Sequence, residues 1–526
     1  MDAELFRQNG KELIDLVADY WESLDDTNKW EKPLPDVKPG FLQSLISEEA
    51  PEEPESWQQI FADIDPVILR GNTHWHHPNF FAYFSTACSY AAVMGDILST
   101  GIAAIGFTWK SSPSMTELEM AMTDWLAKAI GLPHQFLNSD PGPGVGMIQS
   151  TASDATLVAL FAARARAVTM LKSQIAGQPG QWGKFLKNPF IKAIGQQLSE
   201  VGESLRSNLP KFNSFINSNQ KKVEQNTQNS IGELTVFEAH DSAYFDRLIA
   251  YCSDQAHSSV DKGVMLTGVK IRKLPTLKNK SGNFSLEAGV LEKAIQEDRL
   301  NGLIPFILII TVGTTNTCAV ESIKELGPIC EKENIWVHVD AAYAGSFLLC
   351  EEFGYLADGV EYADSFNFNA HKAMMINFDC SPMFKNGTEA ITYFNVDPAY
   401  LKHEYQAIAS DYRHLQIALG RRFRSIKIWF VLRAIGIKQI KQYLRKQVEL
   451  AKLFAELLLN EQNGYNSSFE LFVPQHLGLV CFPLLSALNN DGRIHLVSSK
   501  THGTFFLRFA VCSSKTTEKH VNDANL

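Results

Sequence analysis

No two of the eight cysteines form a CxxC pair; they are scattered at positions 88, 252, 318, 330, 350, 380, 481 and 512. Zinc-ribbon and dithiol redox readings therefore find no support, and free thiols in a reducing compartment are the expectation. No apolar run approaches the ~20 residues that a membrane-spanning helix needs. The N-terminus, MDAELFRQNGKELIDLVADYW, is charged and helix-periodic, without the apolar centre of a signal peptide. A basic excess is missing too: 48 Lys and Arg stand against 58 Asp and Glu, a formal net charge of -10. A surface of that sign does not neutralise phosphates, so nucleic acid is not an expected partner. These absences together describe a cytoplasmic protein that needs no membrane.

What remains is an ordinary globular composition, 45% hydrophobic and 20% charged over 526 residues. That length suits two or three domains. Residues 3–23 read as an amphipathic helix with Leu5, Phe6, Leu13, Leu16, Val17 and Tyr20 on one stripe. A proline-rich stretch from Pro33 to Pro54 reads as extended connector. A helix over Met115–Ile130 should stop at Gly131 and Pro133. A short strand, Met147-Ile148-Gln149, leads through Ser150 to Ser153 into a helix from Asp154 to about Leu171. Residues 173–236, rich in Lys, Gln, Asn and Ser, read as an insertion. Its helical stripe of Ile191, Ile194, Leu198, Val201 and Leu205 suits docking on its own domain better than a membrane surface.

Residues 301–372 carry the clearest α/β signal. Phe306–Val312 is an apolar run suited to a buried parallel strand. Ile323–Glu333 reads as a helix and Ile335–Val339 as a second strand ending at Asp340. Phe366–Phe368 is a third, ending at Asn369-Ala370-His371-Lys372. Such strand–helix–strand units build doubly wound sheets, whose ligands sit at the carboxyl ends of strands.

Chemistry-bearing residues fall at those ends. Lys372 follows a buried strand, where a desolvated amine can attach to an aldehyde such as that of pyridoxal phosphate (PLP). Alone it is ambiguous, since most lysines are solvated. Asp340 is a second strand-end residue. A buried carboxylate there can hold the proton on the PLP pyridine nitrogen, on which the electron-sink chemistry depends; a capped loop is the plainer alternative. The pair is more specific than either residue. Thr151-Ala152-Ser153, at a helix start, offers hydroxyls and N–H groups to a phosphate, or simply an N-cap. His257, in SDQAHSS, can stack on a flat ring, and Thr315, in GTTN, borders the same mouth.

These motifs together resemble the group II PLP-dependent decarboxylases, and within them the animal aromatic-L-amino-acid decarboxylases. The matching stretches are HPNFFAYFSTACSYAAVMGDIL (77–98), IGFTWKSSPSMTELEMAMTDWLAK (105–128), IQSTASDATLVAL (148–160), SDQAHSSV (253–260), WVHVDAAYAGS (336–346), DSFNFNAHK (364–372), NFDCS (377–381) and LGRRFRS (419–425). The resemblance implies α/β fold type I, with the active site shared across a homodimer. It implies an N-terminal helical dimerisation segment over 1–89, a large doubly wound, mostly parallel domain over 90–426, and a small α+β domain over 427–526. Lys372 would hold PLP and Asp340 would pair with its ring nitrogen, with Ala342 nearby. Thr151, Ala152, Ser153 and Asn369 would hold the phosphate. His257 would stack on the ring, flanked by Thr315 and His371. Trp75, Tyr83, Phe84 and Thr86 would line the substrate pocket, with Ile105 and Phe107 reaching in from the partner subunit. Tyr400 would close over the substrate on a mobile loop and protonate the carbon that loses carbon dioxide.

The implied reaction is decarboxylation of an aromatic L-amino acid such as DOPA, 5-hydroxytryptophan or tyrosine. The alternatives are an aromatic aldehyde synthase, a histidine decarboxylase, and a non-catalytic binding subunit. His257 and Tyr400 are of the decarboxylase type, and Gly420 stands where histidine decarboxylases tend to carry Ser. Some positions depart from the pattern: Ser85, Ala370, Ala373 and Ala418 replace the usual Pro, Pro, Trp and Pro. The loop between His403 and Asp411 is slightly short, segment 483–493 lacks part of a helix, and the chain ends at Leu526 ahead of an expected helical tail.

Overall fold

The computed structural model describes residues 2–26, 29–140, 142–175, 239–387, 393–396, 398–405, 411–459, 470–483 and 492–524. The expected insertion at 173–236 lies almost wholly outside the described residues, as do 406–410 of the loop after Tyr400. Contacts divide the chain into two compact units, Met1–Ser85 with Lys446–Leu526, and Thr86–Arg445. The two chain ends, which the sequence suggested as separate segments, thus pack as one unit.

Thr86–Arg445 is built on a seven-stranded sheet. Its strands are β1 (Gly144–Gln149), β2 (Leu248–Ser253), β3 (Lys270–Leu274), β6 (Ile304–Thr311), β7 (Trp336–Asp340), β8 (Ser365–Asn367) and β9 (Ser381–Asn386); β4 (Leu277–Lys278) and β5 (Phe284–Ser285) form a separate hairpin. The order is β1-β9-β8-β7-β6-β2-β3. β8, β7, β6, β2 and β3 run parallel, and β9 is antiparallel to both β1 and β8. All eight residues of β6 but Ile304 are buried, as a strand covered on both faces requires. Register sets Thr311, Asp340 and Asn367 level at the carboxyl ends of three adjacent strands.

Helix Ala152–Ile175 covers one face of this sheet. Its Ala155, Val158, Ala159 and Ala162 share a core with Met147, Ile307, Ile309, Trp336 and Met383. Small residues on that face let the helix approach the strands closely. Helix Pro113–Ala129 starts on a proline and ends at Gly131, whose φ of 73° few other residues accept.

The unit formed by the chain ends contains helix Ala3–Ser23, capped by the Asp2 carboxylate on the N–H groups of Glu4 and Leu5. It also holds a four-stranded antiparallel sheet, β10 (Val473–His476), β11 (Leu479–Pro483), β13 (Thr504–Ala510) and β12 (Val497–Thr501) in that order. Phe454, Phe509 and Phe81 stack through this unit's core, with centroids 3.7 and 4.0 Å apart. The amphipathic stripe of helix Ala3–Ser23 does not point into that core: Leu5, Phe6 and Leu13 are exposed.

Candidate active site

Asp340 ends β7 with its side chain almost fully buried. Its Oδ1 accepts the Ala342 N–H at 3.1 Å. Burial raises its pKa; Lys372, the Ala342 N–H, His257 and the Asn367 side chain all act to lower it. Burial outweighs these partners and leaves the carboxyl above the usual carboxylate range, so its charged form depends on them and not on water. Three backbone bonds bring Lys372 to it. Ala341 N donates to Asn367 O, Asn369 N to Ala342 O, and Lys372 N to Asn369 O, at 2.9, 3.0 and 3.0 Å. Lys372 lies in the one-turn helix Ala370–Ala373 and is half-buried.

His257 caps helix Ser258–Thr267 and feels both Asp340 and Lys372. Its Nδ1 accepts the Ser259 N–H at 3.1 Å, so in the neutral ring Nε2 carries the proton. Burial lowers its pKa and keeps it neutral. The turn holding Thr315 is tied to the same segment by Asn316 Nδ2 donating to Gln255 Oε1 at 3.1 Å. Gly313 opens that turn with φ +87°; a Cβ there would come within 2.7 Å of the Ala344 Cβ. Glycine is thus needed where the β6 and β7 turns meet.

At the helix start, Thr151 is an N-cap. Its hydroxyl donates to Asp154 Oδ2 at 3.0 Å and accepts the Asp154 N–H at 3.2 Å. That reciprocal pair occupies the Thr151 side chain, which leaves the N–H groups of the first turn and the exposed Ser153 hydroxyl to meet a phosphate. Ser150 is held from behind by Arg424 at 3.0 Å, itself paired with Asp379. Asn369 has its Oδ1 bound by Ser381 Oγ at 2.7 Å, so its amide protons are the free end. His371 is buried, its Nδ1 accepting the Cys380 N–H at 2.9 Å; burial takes its pKa to about 4. Its carbonyl accepts the Ala87 N–H at 2.7 Å, which sets Thr86 close to the lysine turn.

Trp75, Tyr83 and Phe84 belong to the other unit. There Trp75 and Tyr83 stack at 5.6 Å, and Arg508 covers Phe84 at 4.8 Å. Tyr83 has φ 60°, an unusual conformation for an aromatic residue. Ile105 is 55% exposed, and Gly420 lies 3.7 Å from it when given a Cβ. Phe107 is half-buried, its carbonyl accepting the Arg413 N–H at 3.3 Å. Tyr400 is 79% exposed and stands outside the buried cluster. The base of its loop is fastened: His403 Nε2 lies 3.2 Å from both Asp411 oxygens, and Asp411 accepts the Trp109 N–H at 2.9 Å.

The sequence reading passed over His338, Ser365 and Asn367, which line up behind Asp340. The signal was there: polar residues at alternate positions of strands otherwise apolar and buried.

A buried carboxylate and a lysine on neighbouring strand ends, a neutral histidine beside both and a helix N-terminus at the same sheet end suit PLP, group by group. They define a PLP enzyme built on a doubly wound sheet. The chain belongs to the pyridoxal-dependent decarboxylases, whose conserved-domain model matches residues 39–180 and 227–485. It is 42% identical to the aromatic-L-amino-acid decarboxylase of Rattus norvegicus, over 99% of this chain and 96% of that protein. Among solved structures, Oryza sativa TDC with PLP and tryptamine matches at TM-score 0.81 and 30% identity, over 100% of this chain and 96% of that one. Rhodiola rosea 4-hydroxyphenylacetaldehyde synthase matches at 0.78 and 31%, over 99% and 97%.

Proposed function

We propose that this protein is a PLP-dependent carboxy-lyase that converts an aromatic L-amino acid into its amine and carbon dioxide. The observation that carries the reading is the Asp340–Lys372 pair on adjacent strand ends, with His257 acting on both. The near full-length likeness to a decarboxylase of aromatic L-amino acids supports the substrate class.

PLP, when bound, supplies a sink for the electron pair left on Cα as carbon dioxide departs. Lys372 would anchor it covalently. Asp340 would hold a proton at the ring nitrogen. Ser153, the first-turn N–H groups and the Asn369 amide would take the phosphate, and His257 would supply a flat face beside the ring. Nε2 of His257 carries a proton, which suits delivery toward Cα. Tyr400, on its exposed turn, is the residue we assign to that protonation once the loop closes.

We also propose a cytoplasmic homodimer. All eight cysteines are free. No described helix is long and apolar enough to cross a membrane. Tyr90, Met94, Ile97, Leu98, Ile102 and Ile105 are all exposed, an apolar face that a second copy would cover. Ile105 on that face fits a residue lent to the partner's pocket.

The likeness to an aldehyde synthase keeps a second reading in play. A panel of DOPA, 5-hydroxytryptophan, tyrosine, tryptophan and phenylalanine, with products separated by chromatography, decides between them. Amine matching the carbon dioxide released supports decarboxylation. Aldehyde, ammonia and peroxide in its place establish the synthase, and no product from any acid overturns both.

A further inference from the structure

Behind Asp340 runs a line of buried polar side chains that the reaction outlined above does not use. Trp336, His338 and Asp340 alternate along β7 and so share one face of the sheet; Ser365 and Asn367 share that face on β8. Register pairs His338 with Ser365 and Asp340 with Asn367. Trp336, His338, Ser365 and Asn367 are 0% exposed. Polar groups in so dry a place cost stability unless partnered, so their arrangement calls for a reason.

The hydrogen bonds give this line a direction. Trp336 Nε1 lies 2.9 Å from Ser365 Oγ, and His338 Nδ1 lies 2.8 Å from the same oxygen. An indole N–H only donates, so Ser365 Oγ accepts from Trp336. The single Ser365 proton then has His338 Nδ1 as its acceptor. Burial takes the His338 pKa down to about 3, with Lys385 adding to the effect, so the ring is neutral. A neutral ring that accepts at Nδ1 carries its proton on Nε2. Asn367 stands level with Asp340 on β8, and its side chain acts on both His338 and Asp340. With Nε2–H on that side, an Asn367 carbonyl oxygen turned toward His338 would leave the amide protons to face Asp340. Asn367 Oδ1 and Nδ2 and His338 Nε2 make no formed hydrogen bond here, so these last two links rest on the strand register that sets Asn367 level with Asp340.

We propose that Trp336, Ser365, His338 and Asn367 form a one-way relay whose work is to present an amide donor to Asp340, making His338 and Asn367 positioning residues for the cofactor's ring nitrogen. The inference rests on the PLP reading. The relay holds the Asp340 carboxylate in one rotamer, with Lys372 and His257 on its open side. It moves no proton; the fixed tautomer of His338 is what keeps Asn367 from flipping. A flipped Asn367 would aim its carbonyl oxygen at the carboxylate and repel it.

The test uses holoenzyme reconstituted with PLP labelled with nitrogen-15 in the ring, read by NMR across pH, alongside kcat and KM. Asn367→Leu keeps volume and removes the donor. Ser365→Ala frees the His338 tautomer with minimal loss of volume. We expect both variants to lose ring-nitrogen protonation at a lower pH than wild type. We expect kcat to fall by about ten- to a hundredfold, as loss of an outer-shell partner does elsewhere, with KM changed less than threefold. If Asn367→Leu fails to fold by circular dichroism, Ser365→Ala carries the test. A nitrogen titration and kcat equal to wild type in a folded variant would overturn the relay. If wild type itself gives no ring-nitrogen signal of bound PLP, the PLP reading fails instead, and the two failures are distinct.

Discussion

Lys385 sits in β9 at 0% exposure, its Nζ donating to the Leu415 carbonyl at 2.8 Å. Burial lowers its pKa from 10.5 to about 7. At about 1.4 kcal/mol per unit, the folded state disfavours the charged form by roughly 5 kcal/mol. The sign follows from linkage. The folded pKa lies below the unfolded one, so between about 7 and 10.5 the unfolded chain binds more protons and stability rises with pH. Below the folded value the penalty is fully present. Lys385→Met removes the titration, at the cost of leaving the Leu415 carbonyl unbonded, about 1–3 kcal/mol. The variant should therefore be the more stable near neutral pH. Its advantage should shrink by roughly 3 kcal/mol between pH 6.5 and 9.5, a range the shift itself sets. Urea unfolding of wild type and variant at matched protein and PLP concentrations, at three pH values across that range, reads the difference directly. Parallel stability curves for the two proteins would refute the buried, proton-poor lysine.

Further expectations concern the site. Asp340→Asn should retain covalent attachment of PLP at Lys372 but lower kcat by at least about a hundredfold, the order seen when a preorganised electrostatic partner is lost; steady-state kinetics check this. Tyr400→Phe should bind PLP like wild type while its product shifts from amine toward aldehyde, and undiminished amine output would remove Tyr400 from the protonation step. Glu119→Gln leaves Arg421 buried beside a neutral amide, because that ion pair is 1% exposed on both sides and Glu119 also accepts the Ile148 N–H at 2.7 Å. Denaturant unfolding should show a loss of roughly 3–5 kcal/mol, with weaker PLP affinity, since Ile148 leads into the phosphate-binding helix start.

The parts of this fold that were legible in the sequence are those whose cause is local. β6 announced itself as an apolar run, because a strand covered on both faces favours such a composition, and β7 and β8 were legible as short strands ending at Asp340 and at Asn369 to Lys372. Helix Ala3–Ser23 was legible from its period. Where its stripe goes was not, since Leu5, Phe6 and Leu13 remain exposed. β2 and β3 have short patterns that identify no partner, and β9 contains Pro382 and the buried Lys385, both poor strand signals. The packing of the chain ends into one unit depends on contacts between residues hundreds of positions apart, which no local pattern encodes. At the site, Asp340 and Lys372 were legible because each ends a readable strand. Thr151, taken alone, read more readily as a helix cap than as a phosphate contact, and Asp154 three residues on was the signal for the cap. The His338–Asn367 line needs the register between two strands, which the sequence does not state.

The proposed chemistry depends most directly on Lys372 as the residue that carries the cofactor. Reconstituting the protein with PLP, reducing with borohydride, digesting and mapping the adduct by mass spectrometry puts that to one measurement. The account predicts stoichiometric phosphopyridoxyl modification of the peptide containing Lys372 and none after Lys372→Ala. An adduct centred on another lysine, or no adduct with PLP in excess, would contradict it.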